Sequence, residues 1–337
     1  MHFGILGAGS IGCYVGGMLA AGGEKVTMVR RPAMANRLAA GMDMTRYDGL
    51  ARELDPNSID FSTSARALAR CDTILVCVKS GDTEEAGRTL LEAGVEGATI
   101  VSLQNGISNA DQLRVLAPEC TVLAAMVPFN VARIGESRFH RGTEGTLVIE
   151  GDGPDAETSG EIARRLSQAH IAAATASDIK SVLWGKLAMN LNNAVNVLSG
   201  LPLKAQLSQR AYRLVLAASV REALAAMQAG GINPAKIGKV RPQIIPAVVS
   251  LPDWLFRLVA ANMLKIDEEA RSSMAEDLDA GRKPEIDWLN GEIVRLGLRT
   301  GIATPVNAKL SQMVNRAFAE GKSPNLSGAE LLRKVGL

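Results

Sequence analysis

A lysine and two asparagines in the second half of the chain follow a helical repeat. Lys186, Asn190 and Asn193 are spaced so that a helix places their side chains on one face. Apolar residues surround them, and polar groups that become buried need partners. A lysine in such a partly dry site has a lowered pKa and can give a proton to an alkoxide. The pattern therefore predicts a general acid, with an exposed lysine and capping asparagines as the alternative.

Three glycines near the start of the chain have the spacing of a dinucleotide-binding turn. They follow a predicted strand and open a predicted helix, which is the context that this pattern requires. The backbone of such a turn approaches a pyrophosphate, and free N–H groups at the helix N-terminus bind it. A glycine-rich turn without a ligand is the alternative. The predicted dinucleotide segment comprises Gly7, Ala8, Gly9, Ser10, Ile11 and Gly12.

The second predicted strand ends in two arginines rather than in a carboxylate. NAD enzymes usually place Asp or Glu there to bind the ribose 2′-hydroxyl. Arg30 and Arg31 instead offer two guanidinium groups to a 2′-phosphate. The sequence therefore predicts NADP(H) as the cofactor, with a solvated surface pair as the alternative.

Polar residues also follow two later strands, at the edge of a parallel sheet where ligands bind. Lys79 follows Thr73–Val78, and Asn105 follows Thr99–Leu103. Asn105 is well placed to hold the nicotinamide or a substrate oxygen. Because Gly106 comes next, a structural Asn-Gly turn explains Asn105 equally well.

The elements that position these residues change character along the chain. Short apolar strands alternate with helices through residues 1–176, which predicts an α/β Rossmann-type doubly wound parallel sheet. Residues 177–337 are expected to form an all-helical C-terminal domain. The first region is interpreted as the NADP-binding domain and the second as a substrate and dimerisation domain. The chain is expected to form a homodimer.

Several bounds are explicit expectations. Arg138–Arg141 and Thr146–Glu150 are predicted to form a hairpin appended to the sheet. The predicted strands are His2–Leu6, Lys25–Val29, Thr73–Val78, Thr99–Leu103 and Thr121–Val127. The predicted helices are Ile11–Ala21, Ala33–Ala40, Ala65–Arg70, Thr83–Ala93, Asn109–Leu116, Ala156–Gln168, Ile179–Leu198, Ala205–Ala229, Leu255–Met263, Ile286–Leu296 and Asn307–Glu320.

Composition narrows the function classes. The 337 residues carry a formal net charge of +2, without the clustered basic excess of a nucleic-acid binder. We see no apolar window long enough for a membrane span and no signal peptide, so a soluble cytoplasmic protein without membrane association is expected. The cysteine spacings match no metal or redox pattern, and no metal is expected. His2 lies at the far end of the first strand, and His140 and His170 lie away from predicted strand C-termini, which leaves the acid–base role to Lys186.

The chain resembles the ketopantoate reductase family (2-dehydropantoate 2-reductases) through nearly its whole length, and the shared motifs come in the same order. The motifs that carry the resemblance are Gly7-x-Gly9-x-x-Gly12, Lys79, Asn105-Gly106, Trp184-x-Lys186-Leu187-x-x-Asn190 and Glu285-Ile286-Asp287-Trp288-Leu289-Asn290-Gly291. The resemblance implies an enzyme of pantothenate biosynthesis that reduces a small 2-oxo acid, with the active site between a Rossmann domain and a helical domain.

The resemblance also implies roles for single residues. Lys186 would protonate the carbonyl oxygen, and Glu285 would contact both the substrate and this lysine. Asn190 would bind the substrate hydroxyl or carboxylate region, and Ser273 would hold the carboxylate. Lys79 and Asn105 would line the cofactor side, and Asp277 would orient the region around Ser273.

Two features depart from the family pattern and put the identity of the substrate in doubt. The family's second asparagine, eight residues after the lysine, is Ala194 here, while Asn192, Asn193 and Asn196 lie nearby. Residues 241–264 look like an addition. A β-hydroxyacid dehydrogenase acting on another substrate and a non-catalytic NADP(H)-sensing protein remain as alternatives.

Overall fold

The described residues form twelve strands, which fall into two sheets. The computed structural model describes residues 1–30, 38, 41–261 and 268–337. The strands are β1 (His2–Leu6), β2 (Lys25–Val29), β3 (Met42–Arg46), β4 (Ala51–Leu54), β5 (Asp60–Ser62), β6 (Thr73–Val76), β7 (Thr99–Ser102), β8 (Thr121–Met126), β9 (Val131–Ile134), β10 (Arg138–Arg141), β11 (Leu147–Glu150) and β12 (Ala173–Ala176).

The larger sheet has eight strands in the order β12-β11-β8-β7-β6-β1-β2-β5. Strands β5, β2, β1, β6, β7 and β8 run parallel to one another, and β11 joins β8 antiparallel. Every residue of β1 and β6 is buried, as expected for central strands with helices on both faces. Strand order reverses on either side of β1, so the predicted doubly wound sheet is confirmed.

The smaller sheet corrects one expectation. β10 pairs antiparallel with β9 and parallel with β3, whereas β11 belongs to the larger sheet. The predicted hairpin is therefore wrong, because the glycine-containing stretch between β10 and β11 crosses from one sheet to the other. The buried Arg141 holds that crossing by donating to the carbonyls of Thr143 at 2.9 Å and Gly145 at 2.7 Å.

Fourteen helices of the described residues carry the remaining structure, with short 3-10 turns between them. In the first part of the chain they are α1 (Ser10–Ala21), α2 (Thr83–Glu92), α3 (Asn109–Leu116) and α4 (Ala156–Gln168). They continue as α5 (Ile179–Asn190), α6 (Asn192–Ser199), α7 (Leu203–Leu207), α8 (Arg210–Ala229), α9 (Ile245–Val249), α10 (Asp253–Val259), α11 (Ser273–Asp279), α12 (Asn290–Thr300), α13 (Pro305–Glu320) and α14 (Gly328–Val335).

Several of the helix predictions differ from these bounds. Ala33–Ala40 lies outside the described residues except for Leu38, and Ala65–Arg70 is a 3-10 helix. The predicted helix from Ile179 to Leu198 is interrupted at Leu191, and α7 is separate from α8. Hydrophobic periodicity continues across such interruptions, so it does not reveal them.

The chain divides into two compact units, Met1–Ile179 and Lys180–Leu337. In the second unit, α8 packs against α9, α12, α13 and α14. Glu222 of α8 accepts hydrogen bonds from the backbone N–H groups of Val306 and Asn307, at 2.8 and 2.9 Å. These N–H groups begin α13 and have no partner within that helix, so Glu222 satisfies them and ties α13 to α8.

The segment that departs from the family pattern is anchored in the second unit by a buried cation. Arg213 of α8 donates to the carbonyls of Val249 and Leu251, at 2.9 Å each, and pairs with Asp253. Its guanidinium also stacks on Phe256, 4.0 Å from the ring centroid. The described part of this segment is therefore packed onto α8. None of the described helices has the length and apolar character that crossing a membrane requires.

Candidate active site

The glycine turn lies where β1 passes into α1. Gly7 has φ +107°, a backbone conformation that side chains with a Cβ rarely adopt. A Cβ on Gly12 would collide with the carbonyl oxygen of Gly7. At Gly9, by contrast, no described atom lies within 4 Å of a Cβ position, and α1 has no side-chain cap. The first turn of α1 therefore offers N–H groups to an anion, which fits the predicted pyrophosphate.

The first unit brings the glycine turn close to the chain that carries Lys79. A Cβ on Gly7 would lie 2.8 Å from the backbone nitrogen of Val78, the residue before Lys79. The next strand end is tied to the same place, because Ser80 Oγ donates to the carbonyl oxygen of Asn105 at 2.7 Å. Lys79, Asn105 and the glycine turn are thus gathered at the carboxyl edge of the sheet, and the side chains of Lys79 and Asn105 are partly exposed.

Arg30 lies at the end of β2 and stacks on an aromatic ring that sequence reasoning missed. Its guanidinium carbon lies 4.2 Å from the centroid of Phe61 in β5, and its backbone N–H donates to the carbonyl of Ser62 at 2.9 Å. A stacked guanidinium keeps its donors in a defined plane. Phe61 lies beside Arg30 because β5 pairs with β2. Arg31 lies outside the described residues.

Lys186 lies on α5 beside the buried Trp184 and Leu187. Burial lowers the pKa of Lys186 from 10.5 to about 8, because loss of water disfavours the charged ammonium. No described carboxylate forms an ion pair with its Nζ to oppose that effect. An ammonium held this way can release its proton near neutral pH.

The nearby asparagines differ in what they bind. Asn192 exchanges hydrogen bonds with Gln206, at 3.1 and 3.2 Å. Asn196 is fully buried; its Nδ2 donates to the carbonyl of Leu201 at 2.8 Å, and its Oδ1 accepts from the backbone N–H of Ser272 at 2.9 Å. Asn190 and Asn193 are partly exposed, and no described residue forms a hydrogen bond with either side-chain amide.

Ser273 begins α11 directly after the residue that Asn196 holds. Ser272 caps that helix, since its Oγ accepts from the N–H of Ala275 at 3.2 Å. Asn196 therefore connects the helix that carries Asn193 with the start of the helix that carries Ser273. One turn further along α11, the buried Asp277 accepts from Arg282 Nε at 2.6 Å, which closes the loop after the helix.

Glu285 follows that loop and is only 5% exposed. It precedes a short 3-10 turn, and α12 begins five residues later at Asn290. Glu285 is therefore a buried carboxylate at the start of a 3-10 turn rather than an exposed surface charge. Among the described residues, no group of three or more His, Cys, Asp or Glu side chains could hold a metal ion.

Comparison with known proteins identifies both halves of the chain. Residues 3–152 match the family model described as "Ketopantoate reductase PanE/ApbA", and residues 178–317 match "Ketopantoate reductase PanE/ApbA C terminal". A 2-dehydropantoate 2-reductase of Halobacterium salinarum is 28% identical over 322 residues, covering 94% of this chain and 99% of the relative.

Solved structures agree with these matches. A PanE/ApbA family ketopantoate reductase from Ralstonia eutropha superimposes with a TM-score of 0.80 at 30% identity, covering 95% of this chain and 99% of that one. A D-mandelate dehydrogenase, solved with NADH and anilino(oxo)acetate, shares the fold with a TM-score of 0.79 at 18% identity, with coverage of 95% and 99%.

These findings place the protein among the oxidoreductases. Because the two family models together match well over half of its length, the chain belongs to the ketopantoate reductase family. The curated relative and the Ralstonia structure agree with that assignment.

The roles of Gly9 and Gly12 in the glycine turn can be separated by matched substitutions. Gly12→Ala should lower the free energy of unfolding by about 1–3 kcal/mol, because its Cβ would overlap the Gly7 carbonyl oxygen. Gly9→Ala should unfold at the wild-type temperature, because its Cβ would enter open space. Thermal unfolding followed by circular dichroism measures both, and equal melting temperatures for the two variants would contradict the close approach at Gly12.

Proposed function

We propose that the protein reduces a small 2-oxo acid with NADPH, by default 2-dehydropantoate (ketopantoate) to (R)-pantoate, in pantothenate biosynthesis. Membership of the ketopantoate reductase family supports the reaction class. The observation that carries the mechanism is the place of the half-buried Lys186 beside the buried Trp184 and Leu187, where loss of water lowers its pKa to about 8. Such a group is protonated at neutral pH and still acidic enough to give up its proton.

The first unit supplies a dinucleotide site in this proposal. The first turn of α1 would bind the pyrophosphate, Arg30 and Arg31 would bind the 2′-phosphate, and Lys79 and Asn105 would hold the nicotinamide end. When bound, NADPH supplies the hydride. The uncapped N–H groups of α1 and the stacking of Arg30 on Phe61 support this assignment.

Lys186 is the proposed general acid. It holds a proton for the carbonyl oxygen, which gains negative charge as the carbonyl carbon is reduced. Its position between buried apolar side chains strengthens that electrostatic interaction, because the local dielectric is low. Glu285, itself buried, would contact the substrate and set the position of the ammonium group.

The remaining proposed groups bind the substrate. Asn190 and Asn193 have side-chain amides available on consecutive helices, whereas the amides of Asn192 and Asn196 are engaged. Ser273 would hold the carboxylate at the start of α11. We further propose that residues 1–176 serve as the NADP-binding domain and residues 177–337 as the substrate and dimerisation domain of a cytoplasmic homodimer.

The loss of absorbance by NADPH, measured against a panel of 2-oxo acids, tests the function directly. Turnover with 2-dehydropantoate should exceed turnover with pyruvate and benzoylformate. Lys186→Ala should lower kcat by about 100-fold or more, as expected for the loss of a general acid, while the Kd for NADPH stays within about twofold.

Lys180→Ala provides the matched control, because Lys180 is an exposed lysine on the same helix. It should turn over at the wild-type rate. Wild-type turnover in Lys186→Ala would remove this lysine from the mechanism. A preference for oxidising β-hydroxy acids would favour the β-hydroxyacid dehydrogenase alternative.

The lowered pKa of Lys186 predicts the pH dependence of reduction. The protonated lysine is the active form, so kcat/KM should be level at neutral pH and fall about tenfold per unit above the pKa of about 8. Folding lowers the pKa of this lysine, so between about pH 8 and 10.5 the unfolded chain binds its proton more tightly than the folded protein does. Its contribution to the free energy of unfolding therefore increases as the pH rises through that range. The limb near pH 8 should disappear in the residual rate of Lys186→Ala, and its persistence there would assign it to another group.

Cofactor preference tests Arg30. Arg30→Ala should reduce the ratio of kcat/KM for NADPH to that for NADH by about 10–100-fold, the effect of losing a charge-assisted hydrogen bond of about 1.5–3 kcal/mol. Arg88→Ala, which removes an exposed arginine from α2, serves as the control. An unchanged ratio in Arg30→Ala would exclude Arg30 from the 2′-phosphate site.

A further inference from the structure

We propose that Thr83 and Asn109 are positioning residues for Asn105, because together they hold its backbone at the carboxyl edge of the sheet. The inference rests on the proposed function, in which the Asn105 side chain contacts the nicotinamide or the substrate. The proposed function is extended by a buried hydrogen-bond network that positions this side chain and that no sequence motif predicts.

The carbonyl oxygen of Asn105 is the point that the network holds. It accepts a hydrogen bond from Ser80 Oγ at 2.7 Å and another from Asn109 Nδ2 at 2.5 Å. One donor comes from Ser80, the first residue of the 3-10 turn after β6, and the other from the first residue of α3. Two donors from different elements restrict rotation of the Asn105 peptide, and with it the direction of the side chain.

Thr83 lies at the centre of the network. Its Oγ1 lies 2.8 Å from the carbonyl oxygen of Ser80 and 2.9 Å from Asn109 Oδ1, and it accepts from Gln104 Nε2 at 2.7 Å. Thr83 therefore contacts both residues that donate to Asn105, and its one hydroxyl proton is donated to one of these two oxygens at a time. It begins α2 and is fully buried, while Asn109 is 1% exposed.

The network extends into the sheet through Gln104, which precedes Asn105. Ser102 Oγ, at the end of β7, donates to Gln104 Oε1 at 3.0 Å. Apart from Asn105 itself, all members of the network are buried: Ser80, Thr83, Ser102, Gln104 and Asn109. Buried polar groups that lose a partner carry the full cost of desolvation, so the arrangement has few low-energy alternatives.

The consequence for catalysis is geometric. Asn105 lies in a loop, where no strand or helix pairing defines its backbone. Misplacing a positioning group by about 1 Å can cost about 100-fold in rate. Removal of the Thr83 hydroxyl frees Asn109 and Ser80 to adopt other directions, and the Asn105 amide then loses its defined place.

A second buried threonine provides a matched control. Thr27 in β2 is also fully buried, and its hydroxyl contacts His2 Nε2 at 2.8 Å and Asp60 Oδ2 at 3.2 Å. His2 and Asp60 are the first residues of β1 and β5, away from the strand ends that carry Lys79 and Asn105. Thr27→Val therefore removes an equally buried hydroxyl without touching the Asn105 loop.

The test compares Thr83→Val, Thr83→Ser and Thr27→Val in the full-length protein. We expect Thr83→Val to lower kcat with NADPH and 2-dehydropantoate by about 10-fold or more, and Thr83→Ser to recover it to within about threefold. Thr27→Val should lower the melting temperature by a similar amount and keep the wild-type kcat. Wild-type kcat in a folded Thr83→Val protein would overturn the proposal.

A double-mutant cycle shows whether Thr83 acts through Asn105. Added to Asn105→Ala, Thr83→Val should cause no further loss of kcat, whereas its effect on the melting temperature should persist. A further loss of about 10-fold in that background would overturn the positioning role. If Thr83→Val does not fold, Ser80→Ala replaces it in the same cycle, because it removes one of the two donors to Asn105.

The two proposals fail in different ways. Wild-type turnover in Asn105→Ala would remove Asn105 from the site, which is a failure of the proposed function. Loss of turnover in Asn105→Ala together with wild-type turnover in Thr83→Val would leave the proposed function intact and overturn the positioning role alone.

Discussion

The carbonyl oxygen of Gly7 occupies the space that a Cβ of residue 12 would need, and the first unit depends on this close approach. It lets α1 start immediately after β1 and lie against the sheet, where its buried face covers the central strands. The same geometry leaves the first turn of α1 without a side-chain cap at the carboxyl edge of the strands. Anion binding and packing are thus two results of one backbone constraint.

Satisfaction of buried polar groups organises the second unit in a comparable way. Asn192 and Asn196 are occupied within the fold, one by Gln206 and the other by Leu201 and Ser272. These bonds leave the amides of Asn190 and Asn193 available and fix the start of α11 beside α6. Lys186 has no such partner among the described residues, and burial therefore acts on its pKa unopposed.

Much of the first unit could be predicted because its signals are local. β1 and β2 begin and end at the predicted residues, and β6, β7 and β8 end one or two residues early. Dense Val, Ile and Leu identify buried parallel strands, and G-x-G-x-x-G identifies the turn between β1 and α1. The pairing of β10 with β3, about 95 residues away in the chain, has no local signal, and a hairpin of Arg138–Arg141 with Thr146–Glu150 was wrongly predicted instead.

The sequence by itself determined the α/β class of the first unit, the helical character of the second and the residue types available for proton donation and phosphate binding. It did so because strand and helix periods, glycine spacing and formal charge are properties of neighbouring residues. Only the tertiary structure decided which polar groups are satisfied. The sequence does not distinguish Asn192, Asn193 and Asn196, and it contains no motif that identifies Thr83 or Phe61. Their partners are distant in sequence and come into contact only after the chain has folded.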